Sequence, residues 1–135
     1  MFLFMIGFMD KETIGVTLFE LLLVIIIIGV IAALAFPRFF YVIEKSHASE
    51  GVEVLRSLLA AQRLYAFDNN GNYASSLNSL DVTIPSLSYF NQPNVFNNAA
   101  AVATIQRNTG AYTLSINSNG DISCDVPSIC SKLGF

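Results

Sequence analysis

The sequence predicts an α+β fold, with one long N-terminal helix packed on a small antiparallel sheet of three to four strands. Two observations carry this. Apolar residues run almost unbroken from Val16 to Phe36, then thin to a spacing of three and four as far as Phe67. Beyond Val102 the spacing falls to two, with Asn- and Gly-containing turns between the runs. At 135 residues the chain is one domain by length. Its expected divisions are a leader over 1–15, a long helix over 16–67 and a final segment over 68–135. The helix spans a membrane to about residue 41, and the final segment holds a loop, the sheet and a C-terminal cysteine loop.

Within Val16–Phe36, Glu20 is the one charge and Thr17 the one hydroxyl. At ~1.5 Å of rise per residue, a helix of that length covers about 31 Å, enough for a hydrocarbon core. The β-branched run Ile25–Ile28 would suit a strand, yet an apolar stretch this long reads as a membrane helix. Pro37 follows at once. Arg38, Phe39, Phe40 and Tyr41 then supply the aromatic and cationic edge of a membrane interface. Lys11 on one flank against Arg38 and Lys45 on the other leans weakly against an exported C-terminal body, whereas the cysteine pair favours export.

From Glu44 to Phe67 the pattern is amphipathic. Ala48, Val52, Leu55, Leu59, Gln62 and Ala66 form one stripe, with Leu58 and Tyr65 beside it. Glu44, Lys45, Glu50, Glu53, Arg56 and Arg63 mostly fall elsewhere, and His47 on this charged stretch is expected to be solvated. Asp68-Asn69-Asn70-Gly71-Asn72 supplies residues that tolerate left-handed backbone and ends the helix. Residues 73–98 read as a loop with short structured pieces, broken by Pro85 and Pro93. Strands follow over Val102–Arg107, Tyr112–Ile116 and Ile122–Cys124, joined by Asn108-Thr109-Gly110 and Ser118-Asn119-Gly120.

Composition narrows the function classes. Apolar residues make up 53% of the chain, and much of the excess precedes residue 44. The remaining body of roughly 90 residues buries a modest core and gains from a covalent staple or partner subunits. Net charge is −3, and Arg56, Arg63 and Arg107 are too scattered to make a basic patch, so nucleic acid is not indicated. Cys124 and Cys130 read as one disulfide in an exported body; the alternative, half of a metal site, lacks partners because His47 is distant. Asp68–Asn72 fails as a calcium loop, since Tyr73 and Ser79 stand where Gly and Glu are needed. Asp121 and Asp125 could help bind an ion, but turn chemistry explains Asp121, and calcium is not expected. No nucleophile elbow, phosphate loop or spaced acidic pair argues for an enzyme, and no cofactor is expected.

Glu20 carries the most information. A carboxylate at mid-membrane depth costs roughly 2.5–3.5 kcal/mol, so it implies a partner or a function unless it reaches the headgroups. The string Gly15-Val16-Thr17-Leu18-Phe19-Glu20-Leu21-Leu22, the apolar helix and Pro37 together resemble the N-terminus of type IV pilins and type II secretion pseudopilins. The match is detailed over Gly15–Pro37 and looser in the later order of helix, loop, sheet and cysteine pair.

The resemblance implies a pilin fold and a set of roles. Gly15 would be the last leader residue, recognised by a membrane prepilin peptidase, and Val16 the methylated new N-terminus. Glu20 would face the Val16 amine of a neighbouring subunit, with Thr17 in the same assembly set. The stretch bracketed by Gly29 and Pro37 would loosen on assembly, while the helix of a free subunit would run on through it. The Cys124–Cys130 loop resembles the disulfide-bounded C-terminal region of many pilins. Implied partners are copies of the chain in a helical filament, the peptidase, an assembly ATPase and its membrane platform, and lipid before assembly. The precursor would sit in a bacterial inner membrane with its body extracytoplasmic, and the product at the cell surface.

Some positions depart from the family. Val16 stands where phenylalanine is more usual, and Phe19 where isoleucine is usual. The leader MFLFMIGFMDKETIG is unusually apolar, and a start at Met9 would leave the short polar MDKETIG. Three readings follow: a type IV pilus subunit, a secretion pseudopilin, or a single-span anchored binding domain that never polymerises.

Overall fold

The computed structural model describes residues 15–135, so the leader ahead of Gly15, and with it a start at Met9, lies outside the described residues. The elements are helix α1 (Leu18–Asp68), a single 3₁₀ turn (Leu77–Ser79), strands β1 (Asn94–Val95), β2 (Ala103–Gln106), β3 (Thr113–Ile116) and β4 (Ile122–Cys124), and helix α2 (Pro127–Leu133). The strands form one antiparallel sheet in the order β1-β2-β3-β4, a meander in which sequence neighbours are spatial neighbours. A long N-terminal helix whose C-terminal part packs on a small antiparallel sheet is the α+β layout of the pilin fold.

The chain divides into two compact units, with the break inside α1 between Arg38 and Phe39. In the first, the apolar stretch of α1 is exposed on every side, and it is long and apolar enough to cross a membrane. The helix continues through Gly29 and Pro37. Pro37 has no N–H to donate to the Ala33 carbonyl, so one rung of the ladder is missing there, yet α1 runs on past it.

In the second unit, α1 presents Ala48, Gly51, Val54, Leu55, Leu58, Leu59, Gln62 and Ala66 as its buried stripe. The expected stripe is present, with Leu58 fully buried rather than flanking it and Val52 only half-buried. Opposite it, Ala103 and Ile105 of β2 and Leu114 and Ile116 of β3 point inward, as period-two alternation requires. The outer face is polar, and the Ser115 and Ser123 hydroxyls meet across β3 and β4 at 2.7 Å.

Gly51 lets the sheet side approach the helix. A β-carbon there would lie 2.9 Å from the Phe90 ring, which is itself 4% exposed. The helix ends as the sequence suggests: Asn70 (φ 55°) and Gly71 (φ 85°) turn left-handed, and the Gly71 N–H returns to the Ala66 carbonyl at 2.8 Å. The fourth strand, β1, comes from the segment read as loop; its two residues pair with Ala103 and Thr104. The C-terminal loop differs from expectation by folding into α2, begun by Pro127 and closed by left-handed Gly134.

Candidate functional site

The residues singled out at the N-terminus gather at one place. Gly15, Val16 and Thr17 precede α1 and are exposed, and a side chain at Gly15 would meet no atom within 4 Å. The Gly15–Val16 peptide bond therefore lies on accessible chain. Thr17 caps the helix, its Oγ1 accepting the Glu20 N–H at 3.2 Å, so one amide of the first turn is satisfied inside the apolar stretch. Glu20 stands in that first turn, where the positive end of the helix dipole favours a carboxylate. Thr17 as a cap was not foreseen, although Thr followed three residues later by Glu is the sequence signature of such a cap. Gly29 and Pro37 lie further along the same helix.

Cys124 and Cys130 belong to the second unit and form a disulfide with Cα atoms 5.8 Å apart. It ties the end of β4 to the middle of α2, and Cys130 is buried with Leu133 against the core. Among the described residues no three His, Cys, Asp or Glu side chains gather as a metal site.

A polar cluster unforeseen as such joins α1 to the sheet. Glu44 Oε1 accepts from Arg107 Nε at 2.7 Å and from the Tyr112 hydroxyl at 2.8 Å, while Oε2 accepts from Arg107 Nη2 at 3.2 Å. Arg107 also donates to the Tyr89 carbonyl at 2.6 Å and to Asn108 Oδ1 at 2.8 Å, and is 7% exposed. The Arg107 guanidinium, ahead of the opposing effect of burial, holds the Glu44 carboxyl down at about 2. Glu44 in turn keeps Arg107 cationic. Burial, then Glu44, pushes the Tyr112 phenol up, so it remains a donor.

His47 is drawn into this cluster rather than solvated. Its ring stacks on Tyr89 with centroids 3.8 Å apart, and Nδ1 lies 3.2 Å from Glu44 Oε2 and 3.1 Å from Arg107 Nη2. One ring nitrogen serves one of these at a time, accepting from Arg107 when bare or donating to Glu44 when protonated. The helix-based expectation failed because it weighed the charges beside His47 in sequence. The partners that cover it, Tyr89 and Arg107, are more than 40 residues away. A signal did exist: Arg107 shares the inward phase of Ala103 and Ile105, and Glu44 stands four residues before buried Ala48.

Two further clamps fix the loop. Gln62, fully buried, donates to the carbonyls of Ala74 and Val102 at 2.9 and 3.1 Å and accepts from the Ala74 N–H at 2.7 Å. Glu50 accepts the Ser88 and Tyr89 N–H groups, both at 2.9 Å. These groups are occupied with one another and clamp the loop to α1. No known protein family, curated protein or solved structure matches this chain.

Proposed function

We propose that the chain is a non-catalytic structural subunit of a type IV pilus-like filament, cleaved after Gly15 by a prepilin peptidase and polymerised through α1. One observation carries the reading: the Gly15–Glu20 string opens an apolar helix with all sides exposed, and that helix continues into a small disulfide-stapled body. A helix with no polar face has two stable surroundings, lipid or other apolar helices. The precursor sits in an inner membrane with its body extracytoplasmic; assembly driven by an ATPase on a membrane platform exchanges lipid contacts for helix contacts. The product is a cell-surface filament.

Glu20 supplies the register. A lone carboxylate at depth costs roughly 2.5–3.5 kcal/mol. An ammonium about 4 Å away, at an effective dielectric of ~20, returns on the order of 4 kcal/mol. The Val16 amine created by cleavage on an adjacent subunit is that ammonium, so a misregistered subunit leaves both charges stranded. Methylation of that amine keeps its charge.

Replacing Glu20 with Gln, with the chain otherwise intact, is expected to abolish sheared filaments while leaving membrane-inserted, cleaved protein at normal levels. Normal filament yield and length from Glu20→Gln would overturn the mechanism. Mass spectrometry of wild-type filaments should find a dominant species beginning at methylated Val16. Cleaved protein confined to the membrane would instead favour a secretion pseudopilin. Uncleaved protein indifferent to Glu20 would favour a single-span anchored binding domain.

A further inference from the structure

A groove of about 480 Å³ opens on the second unit between α1, the β2–β3 turn and α2. Its walls are mainly apolar: the Phe40 and Tyr41 rings, Ala111, Ile129 and Leu133. Lys132 stands at its rim. The Lys132 Nζ donates to the Tyr41 hydroxyl at 2.9 Å and lies 4.7 Å from the centre of that ring, and no carboxylate among the described residues pairs with it. The other charges lining the groove, Glu44 and Arg107, neutralise each other. The groove thus offers apolar walls and one uncompensated cation.

Phe40 and Tyr41 are on the helix that carries the apolar span, four and five residues after Phe36. Aromatic rings beside Arg38, directly after an apolar span, are the composition of a segment at headgroup level. Phe40 is 65% exposed and Tyr41 46% exposed, so the groove wall is open to a ligand from outside.

We propose that this groove seats an anionic phospholipid, an acyl segment lying against Phe40, Ala111 and Ile129 and the phosphate meeting the Lys132 ammonium. The volume lies within the ~300–1,000 Å³ of small-ligand sites, which take an apolar body and a few fixed polar contacts. The proposal rests on the membrane-anchored reading above and adds a lipid preference to it. A lipid held there before assembly orients the body on its membrane surface and has to leave when the subunit is extracted.

The full chain contains no tryptophan, so Phe40→Trp provides a single reporter on the groove wall. This protein is inserted in vesicles doped with phosphatidylglycerol or phosphatidylcholine brominated on the acyl chain, at equal mole fraction in a phosphatidylcholine background. Flotation with the vesicles tests the anchor, and its failure removes the anchored reading and this proposal together. In floated samples the groove should half-quench at about fivefold less brominated phosphatidylglycerol than phosphatidylcholine, the worth of one cation at an anionic surface. Lys132→Gln should erase that difference, while Lys45→Gln, the same charge change outside the groove, should leave it. Flotation with equal quenching by both lipids overturns the groove alone, as does equal loss from both lysine variants. Protection of the reporter from both lipids that grows with protein-to-lipid ratio would assign the groove to a second copy and also overturn it.

Discussion

Glu44 shows how one side chain can hold a helix to a sheet. It receives three hydrogen bonds from Arg107 and Tyr112, and Arg107 has little water to turn to if the carboxylate is lost. Because the folded carboxyl titrates at about 2 rather than the ordinary 4.5, its contribution is fully present above about 4.5 and is lost as pH falls toward about 2. Urea unfolding of the full chain in detergent micelles should show stability falling over that acid window. Glu44→Gln should cost about 2 kcal/mol near neutrality and flatten the acid limb. An acid limb unchanged in Glu44→Gln would mean that another carboxylate carries it. Gly51 makes the opposite kind of contribution, by being absent. Alanine there would gain about 1 kcal/mol of helix propensity but force the Phe90 ring aside at about 1–3 kcal/mol. The same unfolding assay should therefore find Gly51→Ala destabilising in the wild-type chain and neutral or stabilising with Phe90→Leu beside it.

Among the elements, α2 depends most on its surroundings. Seven residues are too few for a helix to persist alone, and Val126 makes no side-chain cap. Its order comes from Pro127, left-handed Gly134, the burial of Cys130 and Leu133, and the bond to Cys124. Closing so short a loop restricts the unfolded chain by about 2 kcal/mol in the entropy account. Reduction should lower stability by that amount. Hydrogen exchange should then speed at Ile129, Cys130 and Gly134, whose amides bond within this turn, and not at Ile105 or Leu114 of the central strands. Speeding that reaches β2 and β3 would show the disulfide supporting the whole sheet. β1 is the converse case: two residues long, it exists because β2 offers an edge. A segment that short carries no period of its own, so the sequence allows a short structured piece there without fixing its place.

At the scale of the whole molecule, the two units treat their apolar surface differently. The second closes on itself, with core residues drawn from α1, the loop and the sheet and, among the described residues, no buried side-chain polar atom left unpaired. The first buries none of its apolar window, so its free energy is set by what surrounds it. The filament loss expected of Glu20→Gln belongs to this scale, because the proposed partners of Glu20 and Val16 are on another subunit. The assay must therefore count assembled filaments, since unfolding of a single subunit should scarcely change.

The amino-acid order alone determined the long helix, its buried stripe, its stop at Asn70-Gly71 and the three main strands. Each of these follows from local periodicity or from backbone freedom at a turn. Tertiary structure alone decided that His47 stacks on Tyr89, that Glu44 meets Arg107 and Tyr112, and that Gln62 clamps Ala74 and Val102. Those contacts join residues 12 to 68 positions apart; local period can turn Arg107 and Gln62 inward but cannot say which distant group each one meets. His47, on its charged stretch of helix, looks solvated until Tyr89 and Arg107 are brought over it.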